Sequence, residues 1–340
     1  MRQLPMEIMV GQRLMVGFDG NGFNDDLATL IANLKVGGLI LFSRNLGSPE
    51  QIRLLCRDCQ DCAAHCGLPP LFIAIDQEGG RVARLKPPFS RFPGNSAMRR
   101  PADAVHFARV TATELNQVGI NMNMAPVLDV VPEGVAGIMA GRAFGSDPHW
   151  VATLGMAVID HLQQAGIMAV AKHFPGIGRT VLDSHRVLPE LEIDAQALAD
   201  FDLIPFMAAI RGKVAGVMLS HIRYSGIDPV WPASLSRAVS ADLLRQKLGY
   251  DGVVMTDDLD MGAIKPAVAI ETAIGRILRA DVDIALICHK GPDIEAAWRH
   301  IHKTLLGDAQ LKAMGMRSLQ RILELKKTYL NGPWESHYGV

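Results

Sequence analysis

The stretch Lys172-His173-Phe174-Pro175-Gly176-Ile177-Gly178-Arg179-Thr180-Val181-Leu182-Asp183-Ser184-His185 gathers a lysine, two histidines and an aspartate around a turn built from Pro175, Gly176 and Gly178. The apolar run Gly166 to Ala171 leads into it and reads as a buried strand. A rigid strand thus delivers Lys172 and His173, and a bendable loop delivers Asp183 and His185, the usual placement of reactive groups on loops held by a scaffold. An Asp and a His two residues apart in a short loop can touch. The carboxylate then orients the ring and favours imidazolium. The same pair can equally serve as polar turn residues and no more.

Other groups have chemical potential of their own. Asp257, in Thr256-Asp257-Asp258-Leu259-Asp260, stands at a strand end, where a carboxylate can be a nucleophile, a base or a metal ligand. Capping of the next helix suits Asp258 and Asp260 better. Lys172 fits a Schiff-base lysine, a cationic donor to a substrate oxygen, or a structural ion pair. Asp76 directly follows Leu71-Phe72-Ile73-Ala74-Ile75, and a charge there must be paired or used. Arg84 and Arg142 are weak signals alone. His173, His185 and His221 can ligate metal, yet none of the three stands in an H-x-H or H-E-x-x-H pattern, so no metal and no other cofactor is expected.

The elements that must position these groups alternate along the chain. Eight apolar runs read as strands: Leu14 to Phe18, Val36 to Phe42, Leu71 to Ile75, Asn121 to Val130, Gly166 to Ala171, Ala215 to Ser220, Gly252 to Met255 and Asp283 to Cys288. Helical patterns separate them. Asn24 opens one and Ser48 with Pro49 another, while Ser146 with Pro148 and Ser240 open two more; Pro205 divides the helix between Asp194 and Ile210. Alternation of this kind predicts a parallel sheet, and eight units favour an α/β fold of the (β/α)8 TIM-type barrel, one domain over residues 1–340. Asp76, Arg142, Lys172, His173, His221 and Asp257 all fall just after a strand, so a barrel collects them on its C-terminal rim.

Composition narrows the function classes. The net charge is -1, which gives no electrostatic case for nucleic acid or an anionic membrane. No apolar run approaches the roughly 20 residues of a membrane span, and the first nine residues lack the apolar centre of a signal peptide, so a cytoplasmic protein is expected. Cys56, Cys59, Cys62 and Cys66 reproduce an iron–sulfur spacing, but they lie inside a strong helix signal and are expected to pack as small apolar groups.

Five blocks together resemble one family. Lys172-His173-Phe174-Pro175-Gly176 continuing to Asp183-Ser184-His185 is similar to the signature of β-N-acetylhexosaminidases of glycoside hydrolase family 3. Asp76 to Val82, Ala125 to Val130, Gly141-Arg142-Ala143-Phe144 and Thr256-Asp257-Asp258-Leu259 match its other blocks in order. The resemblance implies a single-barrel bacterial enzyme of the short type that removes terminal β-linked N-acetylglucosamine, in this branch from muropeptide fragments during cell-wall recycling. It implies Asp257 as nucleophile and His185, paired with Asp183, as acid/base. It also implies Asp76, Arg84, Arg142, Lys172 and His173 as the groups that hold the sugar, and a monomer acting on a small carbohydrate. Ile177 stands where relatives commonly have His, and Ala143 where they usually have Ser; these changes bear on the leaving sugar rather than on the reaction. Competing readings are a β-glucosidase or an N-acetylglucosaminide phosphorylase of the same family, a Schiff-base aldolase on Lys172, and a sugar-binding barrel without catalysis.

Overall fold

The computed structural model describes residues 5–184 and 188–330. Eight parallel strands close into a barrel: β1 (Leu14–Val16), β2 (Gly38–Leu41), β3 (Phe72–Ile75), β4 (Met122–Asn123), β5 (Met168–Phe174), β6 (Gly216–Leu219), β7 (Val253–Asp258) and β8 (Ile284–Ile287). Each pairs with its sequence neighbour, and β1 closes the ring against β8 with Leu14 opposite Ala285. Helices run on the outside, among them Pro49–His65, Pro101–Gln117, Pro148–Gln164, Leu203–Arg211, Ile270–Arg279 and Pro292–Gly307.

Side-chain parity sorts the residues. Successive strand residues point to opposite faces. Met15, Ile40, Phe72, Ala74, Met122, Met168, Val170, Met218, Val253, Met255, Ile284 and Leu286 fill the barrel interior, while Leu14, Leu39, Ile73, Ala169, Val217, Val254 and Ala285 pack under the helices. The inward parity continues through the C-terminal ends of the strands and just past them. From Ala74 it reaches Asp76, from Val170 it reaches Lys172, from Met255 it reaches Asp257, and from Leu286 it reaches Cys288. The last helix, Ala309–Tyr329, plugs the opposite end: Lys326 Nζ donates to Gln12 Oε1 at 2.6 Å and to the Gly37 carbonyl at 2.9 Å.

All eight expected strands are present. The expected strand from Asn121 to Val130 is cut to β4 plus a single bridge between Val127 and Lys172. Pro126 has no N–H to donate, so a continuous ladder cannot pass it. Asp147, not Ser146, caps Pro148–Gln164, accepting from His149 N at 2.9 Å. Ser240 lies inside the wide-turned helix Ala238–Lys247, and Ser236 Oγ accepts from Val239 N near its start. The helix between Asp194 and Ile210 divides at Leu203, two residues before Pro205. The four clustered cysteines ride on Pro49–His65 and its cap, with Cys56 and Cys59 in the core and Cys66 exposed. Among the described residues, no helix is long and apolar enough to cross a membrane.

Candidate active site

A cleft of about 310 Å³ opens at the C-terminal end of the barrel, lined by Asp76, Glu78, Arg84, Arg142, Lys172, His173, Ser184, Asp257 and Asp258, with apolar walls that include Phe42, Ile177 and Met218. Its size suits one sugar ring with few waters. A hollow of about 370 Å³ lies outside the barrel rim between Leu259, Ile264, Ile270 and Pro292. Its polar groups are largely committed to one another, as where Lys265 bridges Asp260 and Asp293. Cleft and hollow are of similar size, and the converging charges single out the cleft.

One wall is a lattice of buried ions. After β3 the chain forms a small antiparallel hairpin, Gln77–Gly79 against Val82–Ala83. Asn123 clamps it from β4, accepting from Gln77 N at 3.0 Å and donating to the Gln77 carbonyl at 3.1 Å. Gly79 and Gly80, with φ of 86° and 61°, make the turn. The hairpin carries Glu78 inward and returns Arg84 beside Asp76. Lys172 Nζ contacts Asp76 Oδ1 and Glu78 Oε1, both at 2.7 Å. Arg142 grips Glu78 with two bonds, Nε at 2.9 Å and Nη2 at 2.7 Å. Arg84 reaches Asp76 Oδ2 at 3.3 Å.

The protonation states follow from this packing. Burial pushes the Asp76 carboxyl up, but Lys172 and Arg84 outweigh it and hold it well below the usual carboxylate range. Burial likewise opposes the charge on Glu78, and Lys172 and Arg142 overcome it. Lys172 is pulled down by burial and lifted further by Asp76 and Glu78, so it ends above its ordinary value. A lysine held this firmly as ammonium cannot supply the free amine that a Schiff base requires.

His173 sits beside this lattice. Pairing between β5 and β6 shifts register between Ala171 and Phe174, which brings Lys172 and His173 to the same cleft. His173 Nδ1 lies 2.8 Å from Asp129 Oδ2, and its Nε2 lies 3.5 Å from Arg142 Nη2. Arginine can only donate, so the ring proton belongs on Nδ1, directed at Asp129. Asp129 is fully buried and also accepts from Ile177 N at 2.8 Å, which fixes the start of the loop after β5.

Asp257 closes the opposite side from β7, its Oδ1 accepting from Asp258 N at 2.8 Å. Asp258 and Asp260 do not cap a helix, since Ile270–Arg279 begins ten residues further on. Instead Asp258 Oδ1 accepts from Cys288 N and Asp260 N, and Asp260 Oδ2 accepts from His289 N, tying the ends of β7 and β8 together. Burial raises the Asp258 carboxyl to about 6. These two carboxylates and His289 are the one set of three groups, among the described residues, with atoms close enough to share a cation. Lys265 and backbone N–H groups already occupy much of it. His221 is buried behind the cleft, bonded to Ser234 Oγ and to the Asp258 carbonyl, so it props β7 rather than lining the site.

Of the site residues expected from the sequence, Asp76, Arg84, Arg142, Lys172, His173 and Asp257 line the cleft together. Asp183 is half-buried on the loop after β5, beside Ser184, whose carbonyl accepts from Ala263 N at 3.1 Å. His185 lies outside the described residues. Glu78 and Asp129 carry as many bonds as any of these, and their function was not singled out from the sequence. The only signal for Glu78 was a second carboxylate beside Asp76 before a double glycine.

Comparisons with known proteins converge on one family. Residues 6–325 match the N-terminal domain of glycosyl hydrolase family 3. A curated β-hexosaminidase from Alkalilimnicola ehrlichii is 37% identical over 297 residues, covering 85% of this chain and 84% of that protein. One from Pseudomonas aeruginosa is 37% identical over 294 residues, covering 84% of each. Among solved structures, a family 3 β-N-acetylglucosaminidase from Paenibacillus superposes with a TM-score of 0.91 at 37% identity, over 96% of this chain but only 63% of that longer one. A β-N-acetylhexosaminidase from Beutenbergia cavernae superposes with a TM-score of 0.87 at 30% identity, over 96% of this chain and 99% of its own.

Proposed function

The chain belongs to glycosyl hydrolase family 3 and is a glycoside hydrolase of the β-hexosaminidase kind, and from that premise we propose a retaining reaction in which Asp257 attacks the anomeric carbon of a terminal β-linked N-acetylglucosamine. A retaining enzyme needs one carboxylate to form a glycosyl-enzyme and one acid to protonate the departing oxygen. Asp257 supplies the first from a rigid strand end. His185, with Asp183 holding its charge, supplies the second and later activates water. A cationic acid leaves no negative charge near an anionic leaving sugar.

The observation that carries this reading is the pairing of Asp257 with the ion lattice across one sugar-sized cleft. Asp76, Lys172, Arg142, Arg84 and His173 present fixed donors and acceptors to the sugar hydroxyls, and little reorganisation is needed when charge develops at the ring. The substrates favoured by this reading are muropeptide fragments. Arg84, in the cleft lining, and Arg44, outside it, pack on the Phe42 ring at 5.5 and 4.9 Å from its centre, and this cationic aromatic wall suits the lactyl carboxylate of a muramic leaving sugar. The reading places the enzyme in the cytoplasm, as a monomeric single barrel working on soluble cell-wall fragments without a cofactor.

The test compares turnover of an aryl β-N-acetylglucosaminide with the matching β-glucoside, in phosphate-free buffer containing a chelator. Preference for the acetamido sugar supports the reading. Preference for glucose moves the chain to the glucosidase branch, and a need for added phosphate moves it to the phosphorylases.

A further inference from the structure

The loop after β5 is gripped at its root from four sides. Tyr224 donates its hydroxyl to the Gly176 carbonyl at 2.9 Å. Asp129 holds Ile177 N. Gly178 lies so close to the Val130 carbonyl that a Cβ there would meet its oxygen at 1.9 Å. The fourth grip is ionic: Arg179 Nε donates to Asp202 Oδ2 at 2.8 Å, and the guanidinium lies 4.7 Å from the centre of the Phe201 ring. Beyond Thr180 the chain turns outward, with Val181 and Leu182 exposed, before Ser184 returns to the cleft wall.

Asp202 is an unusual choice for this place. It ends the wide-turned helix segment Leu198–Asp202, is fully buried, and packs against Gly176. Among the described residues its Oδ1 has no hydrogen-bond partner. Burial and its neighbours are costly enough to raise its carboxyl to about 6 against the pull of Arg179. A buried carboxylate with one oxygen unsatisfied contributes little to stability, and an apolar residue packs such a position better. What it does provide is a directional tie to a loop residue four positions before Asp183.

We propose that Arg179 and Asp202 are positioning residues that set the angle at which the loop after β5 brings Asp183 and Ser184 to the cleft, and with them the acid that follows in sequence. The inference rests on the reading that this acid supplies the proton. Neither residue lines the cleft, and the pair acts through the loop. A loop that loses this tie shifts beyond Arg179, and a misplacement of about 1 Å in proton delivery is worth about 100-fold in rate.

The experiment measures kcat/KM for aryl β-N-acetylglucosaminides whose leaving groups run from dinitrophenol to phenol, with Arg179→Ala, Asp202→Asn, Arg179→Lys and His185→Ala. Arg179 is one-third exposed, so its replacement leaves the core intact. Arg179→Ala and Asp202→Asn should keep the dinitrophenyl substrate within about threefold of wild type and lose about 100-fold on the phenyl substrate, because only the second needs the acid. Arg179→Lys should recover part of that loss. A uniform fall across the series, or none, overturns the inference provided His185→Ala shows the selective loss. If His185→Ala itself shows no leaving-group dependence, the acid assignment fails instead.

Discussion

Replacing Glu78 by glutamine keeps the shape of the ion lattice and removes the charge at its centre. The Glu78 side chain is 1% exposed, accepts two hydrogen bonds from Arg142 and forms an ion pair with Lys172. Removing one member of a buried ionic cluster destabilises by about 3–5 kcal/mol; Gln keeps one acceptor, so the lower figure applies. With an unfolding entropy of about 2.1 cal/mol/K per residue, the 340-residue chain has about 0.7 kcal/mol/K, and a loss of about 3 kcal/mol lowers Tm by about 4 °C. Lys172 loses one of the two carboxylates that lift it, so it gives up its proton at lower pH and the alkaline limb of activity moves down. The folded Glu78 carboxyl lies below its ordinary value, so its contribution is present at neutral pH and disappears as pH falls through the folded value. The stability gap between wild type and Glu78→Gln should therefore close in acid. Thermal melts from pH 3 to 8 and kcat/KM profiles on an aryl substrate check this, with a loss of about 100-fold expected at pH 7. A variant that melts within a degree of wild type and keeps its activity refutes the claim that Glu78 sets the two cations.

Two further predictions concern the scaffold. Lys326 is fully buried with no carboxylate partner among the described residues, and burial drives its pKa well below the ordinary value. The unfolded chain then binds a proton that the native state does not, and this site adds up to about 1.4 kcal/mol of stability per pH unit between the folded value and about 10.4. Lys326→Met should flatten that slope in denaturant titrations. Thiol labelling of the native protein should modify exposed Cys66 first, while Cys56, pushed up to about 12 by burial, and Cys59 react only on unfolding.

The barrel was legible because parallel strands buried on both faces are plain apolar runs, and because charged residues so often followed them at once. Asp76, Lys172 and Asp257 were visible for that reason. What escaped depends on distant partners. Glu78 becomes central only when Arg142, 64 residues away, folds back onto it. Asp258 and Asp260 looked like helix caps because their bonds to Cys288 N and His289 N run to the next strand, which no local window contains. The end of β4 was overrun because the apolar pattern continues through Pro126 while the hydrogen-bond ladder does not. Arg179 and Asp202 gave no signal, since an arginine in a loop and an aspartate in a helix are ordinary until they meet.

The central claim is that Asp257 forms a bond to the sugar. Wild-type enzyme incubated with a fluorinated aryl β-N-acetylglucosaminide that slows release of the glycosyl-enzyme should gain one sugar mass, and peptide mapping should place it on Asp257, with Asp257→Ala unlabelled. Label on another residue, or none while the sugar is released with inverted configuration, contradicts the account.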